Sequence, residues 1–202
     1  MRARSVRALQ IAAALAWLAA VGVGLERIWS YETAAGPALP SPHRWPGSAL
    51  VLPQPGMATL IMFVHPRCTC TPASLREMQA VVAQTTTPVT SWVLLLKPQY
   101  TDDDWNGTAV AELVHRVPNA RLLTDQDGIE AARFGAETSG HVVLYDAAGH
   151  LLFSGGITER RGVAGDNAAR RALLAVLNGT GSEPAERAVL GCGLLTHDPA
   201  SS

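Results

Sequence analysis

From about residue 58 onward, apolar and polar positions fall into short blocks whose period alternates between that of a strand and that of a helix. Residues 59–64 are a short apolar run with β-branched side chains, the pattern of a buried strand. Residues 72–84 follow as a helix with Leu75, Met78, Val81 and Val82 on its apolar face. Thr71 is placed to cap it, and Pro72 fits its first turn. A second buried strand is expected over 89–96, between Pro88 and Pro98. A second helix is expected over 102–116, with Asp102, Asp103 and Asp104 in the first turn, where the helix dipole favours acids. A short strand at 121–123 and a short helix at 125–134, stopping near Gly135, come next. Residues 142–145 and 151–154 flank Asp146-Ala147-Ala148-Gly149, a hairpin signal. A last helix is expected over 166–177, with Asp166 as cap and Gly179 as stop, and the chain from Thr180 reads as irregular. The order β-α-β-α-β-α-β-β-α implies a parallel sheet with an antiparallel edge.

The N-terminal pattern is different. Arg2, Arg4 and Arg7 precede a stretch from residue 8 to 25 that is apolar except for Gln10. Extended to Trp29, it reaches the ~20 residues that cross a bilayer. The basic residues at its start place that end in the cytoplasm and the rest of the chain on the far side of the membrane. The alternative is a cleaved signal peptide, with Ala19 and Ala20 as small residues for a peptidase. Trp29 and Tyr31 suit interfacial anchors and favour retention. Residues 30–56 carry six prolines and no helical period, which reads as an extended linker on which Trp45 and Leu50-Val51-Leu52 can dock. The expected organisation is a basic stub (1–7), a transmembrane anchor (8–29), a proline-rich linker (30–56), one folded domain (57–179) and a tail (180–202).

Composition adds little to this picture but excludes some functions. The 202-residue chain has a formal net charge of −1, so no strong field points to nucleic acid. No sequence feature sets an oligomeric state. Three cysteines are too few for a disulfide-scaffolded mini-domain.

Two of those cysteines carry the candidate chemistry. In His65-Pro66-Arg67-Cys68-Thr69-Cys70 they follow the first buried strand and precede the first helix of the domain. The free N–H groups of a helix start stabilise an anion, and a thiolate held there is the nucleophilic form. Arg67 and His65 are placed to add positive charge. The second thiol can attack a mixed disulfide formed by the first and close an intramolecular disulfide. One intervening residue makes a small ring, so a relatively oxidising couple is expected. A metal reading competes: a Cys-x-Cys pair with an imidazole from His65 or His141 suits Cu(I) or zinc. Inert core thiols are the third reading. Cys192, in Gly191-Cys192-Gly193, is either an extra resolving thiol, a metal ligand or a tail residue without a role. Asp125-Gln126-Asp127-Gly128 is read as a helix cap and Ser154-Gly155-Gly156 as a turn. Arg160, Arg161, Arg170 and Arg171 are read as solvated surface, or as a small basic patch.

The stretch from Leu60 to Cys70 resembles the active-site strand and turn of thioredoxin-like proteins, including the membrane-tethered thiol-disulfide proteins of bacterial envelopes. His-Pro-x-Cys-x-Cys, together with Val143-Leu144-Tyr145-Asp146, Phe153-Ser154-Gly155-Gly156-Ile157-Thr158 and Gly165-Asp166-Asn167, resembles more narrowly a bacterial group labelled RedB-like. The resemblance covers about residues 44 to 195. It implies a thioredoxin-like three-layer α/β/α sandwich with a mixed sheet, behind one transmembrane helix in the bacterial inner membrane and facing the periplasm or cell exterior. It implies a thiol-disulfide oxidoreductase acting on a redox partner protein or a thiol substrate. No cofactor is implied beyond a Cys68–Cys70 redox disulfide. Cys68 matches the nucleophile and Cys70 the resolving thiol, one residue early, with His65, Pro66 and Arg67 in support. Gly140, in Thr138-Ser139-Gly140-His141, falls where the family places a cis-proline. That departure leaves room for a copper-binding chaperone or sensor using Cys68, Cys70 and His141. Peroxiredoxin-like antioxidant activity is a further alternative, although the Thr-x-x-x-Cys pattern is absent before Cys68. A redox-inert, membrane-tethered interaction module is the last.

Overall fold

The computed structural model describes residues 2–99, 101, 108–181 and 185–194. It comprises two compact units, residues 1–34 and 35–202. The first is one helix, α1 (Arg2–Thr33), whose side chains from Val6 on are almost all exposed. Val6–Thr33 is long and apolar enough to cross a membrane. At 1.5 Å per residue it spans about 42 Å, against ~30 Å of hydrocarbon. It runs past Trp29, so the first residues expected in the linker are helical.

In the second unit, the described residues form a six-stranded sheet ordered β3-β2-β1-β4-β5-β6. The apolar run became β1 (Ala58–Val64), parallel to β2 (Val89–Lys97), which is parallel to β3 (Ala120–Gln126). On the other side β4 (His141–Tyr145) is antiparallel to β1, and β5 (Leu151–Gly155) is antiparallel to β4. The short β6 (Ala185–Glu186) adds a parallel edge to β5. β1 is therefore paired on both sides and covered on both faces, which is why it reads as a continuous apolar run.

Alternation along β1 sorts its side chains into two cores. Leu60, Met62 and Val64 pack with helices α2 (Thr71–Gln84), α3 (Thr108–Val114) and α5 (Ala168–Leu177), through Leu75, Met78, Val81, Val110, Val114 and Leu173 among others. Ile61 and Phe63 face the opposite side, which carries only the short α4 (Ile129–Arg133). Four or five residues of helix cannot cover a sheet face, and the chain from residue 35 to 51 completes the layer. Trp45 stacks edge-on against Phe134 at 5.3 Å and Tyr145 at 5.2 Å. Val51 is fully buried, whereas Leu50 and Leu52 are exposed. The segment is pinned by Trp45 N–H to Gly149 O (2.8 Å) and Tyr145 Oη–H to Pro42 O (2.8 Å). The prolines suit this role, since the segment adds little to the sheet ladder and gains from a stiff extended backbone.

Several local expectations shift. Cys70, not Thr71, is the N-cap residue of α2, and Thr71 turns its hydroxyl to His65 O instead (3.0 Å). α3 is described from Thr108, and the expected start at 102–107 lies outside the described residues. β3 runs to seven residues where three were expected, because it is an edge strand, largely exposed, and its polar end Thr124-Asp125-Gln126 carries no apolar signal. Asp125 belongs to β3, yet it does cap: its carboxylate accepts from Glu130 N–H and Ala131 N–H at 2.8 and 2.9 Å. Asn167, not Asp166, caps α5, accepting from Arg170 N–H at 2.8 Å and donating to the buried Glu77 carboxylate. Asp166 instead pairs with Arg170 and Arg171 on the surface. Of the described residues beyond Thr180, 185–186 form β6, and 187–194 have no regular secondary structure but follow a fixed course, described below.

The cap assignment is testable. Asn167→Ala is expected to lower stability by about 1 kcal/mol or more, because a helix cap and a donor to a buried carboxylate go together. Asp166→Ala, at an exposed ion pair, is expected to cost no more than ~0.5 kcal/mol. Urea-unfolding midpoints of the two variants check this, and equal losses would refute it.

Candidate functional site

The site forms where β1 ends. The turn after Val64 is closed by Cys68 N–H to His65 O (3.2 Å) and Thr71 N–H to Cys68 O (3.1 Å). Cys70 O then accepts the first amides of α2, from Ala73 and Ser74, both at 3.1 Å. Cys68 and Cys70 are both buried.

A second segment backs this turn. Ser139 Oγ accepts from His65 N–H (3.0 Å) and lies 3.1 Å from Thr71 Oγ1. Gly140 N–H donates to Phe63 O (2.7 Å), and Gly140 adopts φ +90°. A Cβ there would sit 2.8 Å from Ser74 Oγ. A proline would lack the donor and could not reach that φ, so this backbone demands glycine where the resemblance puts a proline.

The third segment is the C-terminal strap, residues 187–194. It leaves the sheet edge through Arg187 N–H to Ser154 O (2.9 Å) and ends with Leu194 N–H on Glu137 O (2.8 Å). Thr138 and Gly193 form an antiparallel bridge, and Ser139 N–H donates to Cys192 O (2.8 Å). Glycines make this approach possible. A Cβ on Gly155 would lie 2.2 Å from Arg187 O, one on Gly156 2.8 Å from Ala188 O, and one on Gly191 2.0 Å from Ser139 O. Gly155 and Gly156, expected as a turn, are instead the end of β5 and a backbone contact.

The strap brings Cys192 to the turn. Its Sγ lies 3.0 Å from Cys68 Sγ, and the sulfurs of Cys68, Cys70 and Cys192 all lie within 4.8 Å of one another. All three are free thiols. Arg161 Nη1 donates to Gly191 O, which holds a guanidinium against the strap.

Electrostatics divides the three. Burial opposes charge on Cys68, but the thiol and amide of Cys192, the amide of Cys70 and the Ser139 hydroxyl outweigh it, and the thiol is held below its ordinary range. Burial and the neighbouring Cys68 push Cys70 up, against the charge of Arg161 and the Gly162 amide. Burial and the link to Cys68 push Cys192 up to about 12, with Arg161 working in the opposite direction. Cys68 is thus the thiol of the cluster that ionises most readily, with Cys192 as its hydrogen-bond donor.

The supporting residues change roles. Burial and the charge of Arg67 lower the His65 pKa, so its ring is neutral and brings no cation to the thiolate. Its Nδ1 accepts Arg67 N–H (3.1 Å), so His65 shapes the turn. His141 is buried and does not belong to the group of converging ligand atoms; its Nε2 meets Ser154 Oγ at 2.9 Å. Its Nδ1 is buried without a hydrogen-bond partner, and burial pushes its pKa down to about 4. Three of the four arginines have partners of their own. Arg170 and Arg171 pair with acids, and Arg161 serves the strap. Ser139 and Arg161 are the site residues that sequence reasoning missed. The paired glycines at 155–156 and 191–193 were the available signal of a close backbone approach.

The alternative donor set for a soft metal therefore shifts from His141 to Cys192. Three thiolates suit Cu(I) or zinc chemically. Metal–sulfur bonds of ~2.3 Å place ligand sulfurs about 3.8 Å apart or more. The 3.0 Å between Cys68 and Cys192 is shorter, so the strap would have to draw back to admit an ion.

Comparisons bear on the fold. The chain is similar to an uncharacterized conserved protein of Geobacillus kaustophilus (18% identity, 83% of this chain and 93% of that one, TM-score 0.57). It is similar in the same measure to a hypothetical protein of Sinorhizobium meliloti (19%, 80% and 98%, TM-score 0.57). A looser likeness is to a secreted Mycobacterium tuberculosis disulfide oxidoreductase (18%, 62% and 83%, TM-score 0.44). No family model matches the sequence, and no curated protein sequence matches it. The class defined by fold and site is a mixed α/β domain, preceded in sequence by one apolar helix, with three thiols converging at the end of its central strand.

Two outcomes are expected. Alkylation of Cys68 by iodoacetamide should rise with a midpoint below that of an ordinary thiol, and Cys192→Ala, which removes a donor to the thiolate, should move that midpoint up. A profile unchanged by Cys192→Ala would refute the assignment. For His141, the folded state resists the proton that the unfolded chain binds near pH 6.5. Stability is therefore complete above that pH and declines as pH falls from 6.5 toward 4, by at most ~1.4 kcal/mol per unit from this group. His141→Gln should flatten that limb in urea unfolding followed against pH.

Proposed function

We propose that the protein is a membrane-anchored thiol-disulfide oxidoreductase in which Cys68 is the attacking thiolate and Cys70 the second thiol of a Cys-x-Cys redox couple. The observation that carries this reading is the depressed Cys68 thiol at a strand-to-helix turn, with other thiols within 4.8 Å. Inert core thiols have no reason to be surrounded by four hydrogen-bond donors. Cys68 attacks a partner disulfide, and a neighbouring thiol closes an internal disulfide and releases the reduced partner. No cofactor is needed for that exchange. Partners are redox proteins or small thiols; α1 anchors the chain in a bacterial inner membrane with the thiols on the periplasmic or extracytoplasmic side. The RedB-like resemblance of the His-Pro-x-Cys-x-Cys segment supports the reading but names no substrate. His65 and Pro66 shape the turn. Gly140 serves the role of the absent proline by closing the turn behind the thiols.

Turnover of a disulfide substrate such as insulin is expected to fall about 100-fold or more, to background, in Cys68→Ser. In parallel, Cu(I) titration of the reduced protein separates the metal reading. Tight one-to-one binding with no reductase or oxidase activity would favour a copper chaperone. Unchanged turnover in Cys68→Ser would refute the oxidoreductase.

A further inference from the structure

We propose that Cys192 is the thiol that first resolves Cys68, so that the C-terminal strap supplies a catalytic residue and the first internal disulfide is Cys68–Cys192. This rests on the oxidoreductase reading and names a participant that the Cys-x-Cys motif does not contain.

Geometry comes first. Cys192 Sγ is in contact with Cys68 Sγ at 3.0 Å, although the two residues are 124 apart in sequence. The contact is built rather than incidental. Backbone hydrogen bonds and a bridge hold the strap (Arg187 to Ser154, Gly156 to Ala188, Gly36 to Val189, Ser139 to Cys192, Leu194 to Glu137, Thr138 with Gly193), and glycines at 155, 156 and 191 clear its path. A tail cysteine without a role would not need them. The same distance suits a thiol about to exchange.

The chemistry balances as follows. The Cys68 thiolate attacks a disulfide R–S–S–R′, forming Cys68–S–S–R and releasing R′S⁻. Cys192 gives up its proton to the released thiolate and attacks Cys68 Sγ, forming Cys68–Cys192 and releasing RS⁻. The substrate has gained two electrons, and the protein thiols have lost them. Cys70, within 4.8 Å of both sulfurs, then attacks Cys68 Sγ, giving Cys68–Cys70 and returning Cys192 as a thiol. An external dithiol resets the couple and is itself oxidised.

Timing is built into the electrostatics. Burial does most to hold the Cys192 thiol protonated, and its bond to Cys68 and the charge on Cys68 add to it. Both vanish when Cys68 enters the mixed disulfide, while Arg161 remains. Cys192 is therefore easier to ionise once Cys68 has reacted than before.

The test uses the full-length chain in detergent with glutathione disulfide as the probe, acid quenching, and peptide mapping by mass spectrometry. Cys68–Cys192 should be the first internal disulfide in the unsubstituted protein. Cys192→Ser should accumulate glutathione on Cys68 and clear it at least about tenfold more slowly. Gly191→Val, which keeps every thiol but collides with Ser139 O, should show the same slowing with an unchanged circular dichroism spectrum. Clearance at the unsubstituted rate in Cys192→Ser, with Cys68–Cys70 forming directly, would overturn the inference and leave the oxidoreductase reading standing. Failure of Cys68 to take up glutathione in the unsubstituted protein would overturn both.

Discussion

Where β1 runs out, Ser139 forms hydrogen bonds in three directions. Its hydroxyl accepts from His65 at the head of the thiol turn and helps pull the Cys68 thiol down. Its amide holds the carbonyl of Cys192. Gly140, the next residue, hands its own amide to Phe63 and starts β4 beside β1. The thiol turn, the β4 turn and the C-terminal strap are thus three segments fastened at one point, and that point is the end of β1, which is buried from Thr59 to Val64. A strand paired on both edges and packed on both faces cannot shift, so the chemistry sits on a rigid base. The polar groups gathered there satisfy one another, which is what burial requires of them.

The thiol cluster is a balance between burial and donors. Burial alone would raise all three thiols and make them inert. At Cys68 the balance goes the other way because most of the donors converge on that sulfur. A charge on one thiol then raises its neighbours, so Cys70 and Cys192 stay protonated while Cys68 is free. Three thiols in mutual contact do not titrate as equals; one ionises and the others serve it. The N-terminus of α2 contributes less to this than its position suggests. The amides of Ala73 and Ser74 go to Cys70 O, and the donors that matter at Cys68 come mostly from the far end of the chain.

The thin side of the sheet explains the proline-rich segment. α4 is too short to cover Ile61, Phe63, Val143 and Tyr145, and Trp45 with Val51 fills the remaining area. Residues that look like a spacer in sequence are therefore part of the second core. The strap at the other edge has the same logic, since glycines let backbone take the place of side chains where it crosses Gly155 and Gly156.

Much of this was legible in the sequence. The apolar runs at 59–64 and 89–96, the face formed by Leu75, Met78 and Val81, and the hairpin around Asp146–Gly149 gave the element order and a mixed sheet. The Cys68 and Cys70 turn was legible because strand, cysteines, proline and helix follow one another directly. Local signals were weaker where two polar residues competed for one task. Thr71 and Asp166 look like caps, but Cys70 and Asn167 hold those positions because Thr71 and Asp166 have partners elsewhere. His141 looked like a ligand by composition and is a buried core residue facing Ser154. The sequence by itself determined the periodicities, because these depend on neighbours three, four or two residues away. Only the tertiary structure decided that Cys192 touches Cys68, that His65 stays neutral and that Gly140 must be glycine. Those outcomes depend on contacts between segments up to 124 residues apart, and no local pattern encodes which distant backbone will close over a turn.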